Sequence, residues 1–157
     1  MAPLLEVRDL AVKFVTDDGV VHAVDGISYT VDAGRSLGIV GESGSGKSVS
    51  SQTILGLTRA GNATFSGQVL FEGRDLLAMS EHDMRDVRGE EIAMIFQDPL
   101  SSLHPFHRIG DQLIEAVRTH HDVTKQAAKE RAVEMLSLVG MPDPKGRIAS
   151  AIWRPSL

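Results

Sequence analysis

Gly41-Glu42-Ser43-Gly44-Ser45-Gly46-Lys47-Ser48 constrains this chain more than any other stretch of it. The run fits G-x-x-x-x-G-K-[ST], and each position has a physical reason. The glycines let the backbone turn tightly and aim several N–H groups at one point, a nest for an anion. A helix beginning near Lys47 adds the positive end of its dipole. Lys47 offers a mobile ammonium to β- and γ-phosphates, and the Ser48 hydroxyl is an oxygen ligand for Mg²⁺. Val49 follows in the same opening turn. The apolar run at 35–40 (RSLGIV) reads as a strand feeding the loop, and 47–59 reads as a helix leaving it. That strand–loop–helix setting separates a phosphate loop from a chance glycine-rich turn.

The rest of the chain arranges itself around this loop. Residues 4–15 and 20–31 are strand-like, with Asp17, Asp18 and Gly19 between them as a hairpin turn, so the chain opens with antiparallel sheet. Residues 66–71 (SGQVLF) read as strand before the turn Glu72-Gly73, 80–88 as a short polar helix, and 91–96 (EIAMIF) as a buried-type strand. The last third is helical. Ile109, Leu113, Ile114 and Val117 recur at helix spacing, as do Ala128, Ala132, Met135, Leu136 and Val139, with Thr124 as N-cap and Gly140 as C′. The tail at 141–157 has no clear periodicity, and no repeat or linker divides the chain.

Composition removes several classes. The 157 residues suit one domain with a core, and a net charge of -5 argues against a nucleic-acid partner, which needs a basic face. There are no cysteines, so disulfides and thiolate metal sites are excluded. No apolar run reaches the roughly 20 residues that span a bilayer, and MAPLLEVRDL does not read as a secretory signal. Membrane association therefore has to come through a partner. The pair His104/His107 and the pair His120-His121 have no nearby cysteine and no clear carboxylate set, and the plain reading is stronger than a metal site. The charged stretch 81–91 reads as a solvated face. Asp86-Val87-Arg88-Gly89 matches the D-x-x-G of GTP-binding proteins, but no strand precedes it and no N-K-x-D guanine-reading run exists.

Two motifs in order carry a family resemblance. LGIVGESGSGKSVSSQTILGL resembles the ATP-binding-cassette (ABC) transporter ATPases, particularly the subunits serving peptide and nickel importers. MIFQDPLSSLHP, at 94–105, resembles that family's Q-loop region, with one departure: His104 stands where this subfamily usually has Asn. IGDQLIEAVRTHH and MLSLVGMPDP resemble its helical subdomain.

The resemblance implies an incomplete α/β P-loop NTPase, with an antiparallel β part at the front and a helical subdomain at the back. Residues 1–147 would form a partial nucleotide-binding domain, followed by a non-family tail at 148–157. It implies ATP and Mg²⁺ as ligands, with 41–49 cradling the phosphates, Gln97 reaching Mg²⁺ or the attacking water, and Phe14 stacking on adenine or serving as a core residue. It implies permease subunits as partners, their coupling helix facing the segment after Gln97. A second ATPase subunit and, indirectly, an extracytoplasmic substrate-binding protein complete the assembly, on the cytoplasmic side of the inner membrane.

Near Arg147 the resemblance stops. No LSGGQ-type signature occurs, and no apolar strand ending in Asp-Glu follows Gln97. The expectation is a truncated or frameshifted copy that binds ATP, turns it over slowly and exposes apolar surface. The alternative is a non-catalytic ATP-binding fragment with no transport role.

Overall fold

The computed structural model describes residues 2–59, 61–98 and 103–149. The chain divides into two compact units, Met1–Ile92 and Ala93–Leu157.

The first unit is built on a four-stranded antiparallel sheet in the order β2-β1-β3-β4: β1 (Leu5–Thr16), β2 (Gly19–Val31), β3 (Ala63–Phe71) and β4 (Arg74–Asp75). Tight turns link the pairs. Thr16 faces Gly19 across Asp17-Asp18, with the positive φ on Gly19 (128°), and Phe71 faces Arg74 across Glu72-Gly73, where both turn residues have positive φ (48° and 80°), as in a type I′ turn. Along β1, Val7, Leu10 and Val12 are buried, kept on one side of the strand through its bulges. They form the core with Val24, Val69, Phe71 and Leu76. Two helices close over this face: α1 (Lys47–Ile54) contributes Ile54, and α2 (Glu81–Glu90) contributes Met84 and Val87. Ser80 caps α2 by accepting the Asp83 N–H at 3.2 Å.

The second unit holds α3 (Ile109–His120), α4 (Lys125–Leu138) and α5 (Pro144–Arg147). Ile114, Ala128, Ala132 and Ile148 are its buried apolar residues. Thr124 caps α4 by accepting the Ala127 N–H at 3.2 Å, and Gly140 follows the helix with φ 74°, both as the sequence predicts.

Three expectations need correction. The helix read over 47–59 ends at Ile54, because Gly56 turns left-handed (φ 66°) and closes it. The runs at 35–40 and 91–96 form no strands; only an isolated bridge, Arg88 to Ile92, touches either. A strand exists only where a neighbour completes its ladder, and among the described residues neither run has one. Val40 is accordingly 93% exposed and Ile95 90%, while Ile92 packs partly buried against the core.

Charge pairs lie on the surface of the first unit. Arg8, Arg88 and Arg74 hydrogen-bond Glu6, Glu81 and Glu91, and each bond holds its glutamate's carboxyl below the usual carboxylate range. A lowered folded-state pKa gives stability that is present above the unfolded value and lost as pH falls through the folded one. The melting temperature is therefore expected to fall most steeply below about pH 4, read by circular dichroism between pH 7 and 3. A flat or rising profile there contradicts the pairing.

Candidate functional site

The loop at 41–48 lies between the unpaired run at 35–40 and α1, and its geometry follows from one glycine. Gly46 is the N-cap of α1 with φ 85° and ψ 1°, a conformation that disfavours any residue with a Cβ. It also lies against β2: a Cβ here would collide with the Ala23 carbonyl oxygen and stand 3.3 Å from Val24 Cγ2. That close approach comes from a bulge. Val12 pairs with Val24 and Lys13 with His22, which leaves Ala23 as the extra residue on β2.

A glycine cap brings no side-chain acceptor, and α1 has neither a side-chain cap nor an acidic residue in its first turn. The free N–H groups of the helix start are thus left for an outside anion. The Ser45 N–H donates to the Glu42 carbonyl at 3.3 Å, closing the loop, and the Ser50 N–H donates to the Gly46 carbonyl at 2.8 Å, starting the helix. Lys47 folds back over the loop. Its Nζ donates to the carbonyls of Gly41 and Glu42, both at 2.7 Å, and to Ser45 Oγ at 3.2 Å. The ammonium is held over the nest by neutral acceptors, which a charged phosphate oxygen can displace.

Hydroxyls along α1 divide into two kinds. Ser50, Ser51 and Thr53 donate back to the Lys47 and Val49 carbonyls, and Thr53 also bonds Thr58 at 2.9 Å. Ser48 is exposed, and its hydroxyl makes no hydrogen bond among the described residues. It is the oxygen left available to a hard cation such as Mg²⁺.

A cavity of about 390 Å³ opens over the loop. Gly41, Gly44, Ser45, Gly46 and Lys47 line one side, and His22, Ala23, Val24, Asp25 and Ile27 of β2 line another. The β2 wall was not foreseen from sequence, because it depends on the bulge register rather than on any motif. A larger cavity of about 460 Å³ lies along α3, but its lining is helix side chains of both charges, among them Asp111, Glu115, Arg118 and Lys125. Converging amides and a lysine make the loop cavity the candidate.

Glu42, Ser43, Ser48 and Val49 belong to the loop and helix start without lining the cavity. Phe14 is half-buried against the core, pairing with Val21 and Ala63, and does not line it either. Gln97 is exposed and belongs to the second unit; residues 99–102 of the segment after it lie outside the described residues.

A sequence profile for the family described as ABC transporter matches residues 24–152. The chain is 51% identical over 146 residues to the oligopeptide transport ATP-binding protein OppD of Bacillus subtilis, covering 92% of this chain and 41% of that protein. It is 46% identical over 149 residues to the dipeptide transport ATP-binding protein DppD of the same organism, covering 94% and 44%. The chain thus spans less than half the length of these relatives. In fold it is similar to the bacterial ABC transporter cassette MJ0796, solved as a dimer (TM-score 0.76, 17% identity, 94% of this chain and 60% of that one). It is also similar to CbiO1 of Clostridium perfringens, described as part of the transporter complex CbiONQ (TM-score 0.62, 23% identity, 95% and 60%).

Gly44 and Gly46 separate the two demands on the loop. Both have positive φ (82° and 85°), but a Cβ at Gly44 meets nothing within 4 Å. Gly44→Ala is expected to lower stability by about 1–2 kcal/mol. Gly46→Ala should lower it further and abolish phosphate binding, as read by urea unfolding and a Mg-ATP titration. Equal effects would show that the Ala23 contact is unimportant.

Proposed function

This chain belongs to the ABC transporter family, and from that premise we propose that it is the ATP-binding part of a peptide importer, coupling Mg-ATP binding and hydrolysis to transport. Of the two cargoes that the family resemblance implies, peptides and nickel, the reading narrows to peptides. The support is the 45–51% identity to proteins named for oligopeptide, dipeptide and peptide transport. Adenosine triphosphate fits the cavity chemically: an anionic tail for the nest and Lys47, with apolar Val24 and Ile27 beyond it. A nucleotide complex among the structural neighbours, MJ0796 bound to ADP and Pi, supports the ligand class.

The residues divide the work. Backbone amides at 44–48 and the start of α1 receive the β- and γ-phosphates, and Lys47 neutralises them. Ser48 would hold Mg²⁺, which when bound neutralises charge on the phosphate oxygens. Gln97, in the Q-loop-like segment, would report the state of the γ-phosphate; Phe14, which packs against the core outside the cavity lining, keeps its two readings, base stacking and core residue. The segment after Gln97 receives the permease's coupling helix. Phe106, 78% exposed, stands on a turn that Gln112 pins by accepting the His104 N–H and donating to the His104 and His107 carbonyls. A second ATPase subunit faces the loop, and a substrate-binding protein delivers cargo on the far side. No helix among the described residues is long and apolar enough to cross a membrane, and the proposed place is peripheral, on the cytoplasmic face.

A second reading is ATP binding without turnover. Phosphate release measured with and without permease subunits separates the two.

Binding itself is tested by Lys47→Ala. Losing a charged donor to phosphate is worth about 1.5–3 kcal/mol, so Mg-ATP affinity should drop roughly tenfold to a hundredfold by calorimetry. Unchanged affinity would refute the reading.

A further inference from the structure

The helix that presents the phosphate loop is tied down at its other end by an arginine from α2. At the end of α1, the Gly56 and Leu57 N–H groups fold back onto the Thr53 and Gln52 carbonyls, both at 2.9 Å, in a Gly-closed cap. Beyond that closure the Leu55 carbonyl accepts Arg88 Nε at 2.6 Å. The other two nitrogens of the same guanidinium donate to the two Glu81 oxygens at 2.6 and 3.0 Å. One planar fork therefore joins the carbonyl end of α1 to the first turn of α2.

Arg88 reaches α1 because the backbone leaves helical geometry there. Arg88 has ψ 121° and Gly89 has φ 87°, a break inside Glu81–Glu90. The Asp86-Val87-Arg88-Gly89 run is thus accounted for by this break rather than by guanine-nucleotide chemistry. Arg59 lies alongside, donating to the Met79 and Leu76 carbonyls at 2.7 and 2.6 Å. Gly56 makes room for both arginines: a Cβ there would lie 3.1 Å from Arg59 Nε and 3.1 Å from Arg88 Nη2. Two cations thus gather where the helix dipole favours positive charge.

We infer that Arg88 is a positioning residue for the phosphate site. By clamping the carbonyl end of α1 to α2, it sets the direction in which the amino end of that eight-residue helix aims its N–H groups. A helix of this length is a rod about 12 Å long. It is fixed in front where Gly46 packs on Ala23, so releasing the rear lets it pivot about that contact. Binding groups must be held within about 0.5 Å of their working geometry, so a small pivot is enough to weaken a phosphate. The inference rests on the Mg-ATP reading above.

The test compares Arg88→Ala, Arg88→Lys and Arg74→Ala in the full chain, with Lys47→Ala as reference. Mg-ATP affinity is read by calorimetry and backbone amide exchange by NMR. Arg88→Ala should weaken Mg-ATP roughly threefold to tenfold and speed exchange at Gly56 and Leu57. Arg88→Lys, which keeps the charge without the fork, should fall between it and wild type. Arg74→Ala removes another surface pair of the same unit, with Glu91, and should leave affinity within about twofold. Wild-type affinity in Arg88→Ala, or equal weakening in Arg74→Ala, overturns the inference while Lys47→Ala still shows the loss expected of the ATP site. If Arg88→Ala does not fold, Arg88→Lys decides alone: weaker binding with faster exchange supports the clamp, and unchanged affinity overturns it. A wild-type chain without Mg-ATP affinity defeats the ATP reading and this inference together.

Discussion

Gly46 meets three demands at once: a left-handed φ of 85°, a β2 carbonyl too close to admit a Cβ, and a helix start with no side-chain cap. The first turns the chain from loop into helix. The second seats that turn against the sheet at the Ala23 bulge. The third leaves donors at the helix start without an internal acceptor, which is the condition for attracting an anion. Lys47 completes the site at little cost, because the loop's own carbonyls hold its ammonium over the nest. On a chain of net charge -5, the proposed ATP binding rests on this local convergence of positive potential rather than on the overall charge.

Such a nest works only if its helix is held, and the first unit supplies that from both sides of α1. Ile54 packs into the core formed by Val7, Leu10 and Val12 of β1 with Met84 and Val87 of α2. The helix is short, so little of its order comes from its own hydrogen bonds, and tertiary packing has to supply it. Ser50 and Thr53, both buried, satisfy their hydroxyls on the helix's own carbonyls, so α1 enters the core without an orphaned polar atom. The sheet face, the bulge and the Arg88 fork are three separate constraints on one rod.

Legibility in sequence followed the range of the interaction. The phosphate loop, the hairpin turns and the Thr124 cap are local arrangements with defined residue requirements, and the structure has them. The helix read over 47–59 ran past its end at Ile54, because the left-handed turn at Gly56 closes it before Arg59. The strands read at 35–40 and 91–96 failed for a different reason. Their composition suits a buried strand, yet a strand is made by its neighbours, and no neighbour lies among the described residues. The β2 wall of the cavity and the Arg88 clamp were invisible, because one depends on a one-residue bulge and the other on a backbone break inside a helix.

The central claim is that backbone amides at 44–48, with Lys47, receive an anionic nucleotide tail. Backbone amide chemical shifts measured by NMR during titration with Mg-ATP, pyrophosphate and adenosine test it most directly. The account predicts shifts centred on Gly44, Ser45, Gly46, Lys47 and Ser48 with the first two ligands and none there with adenosine. Shifts at those amides that adenosine produces equally, or their absence with Mg-ATP, would contradict it.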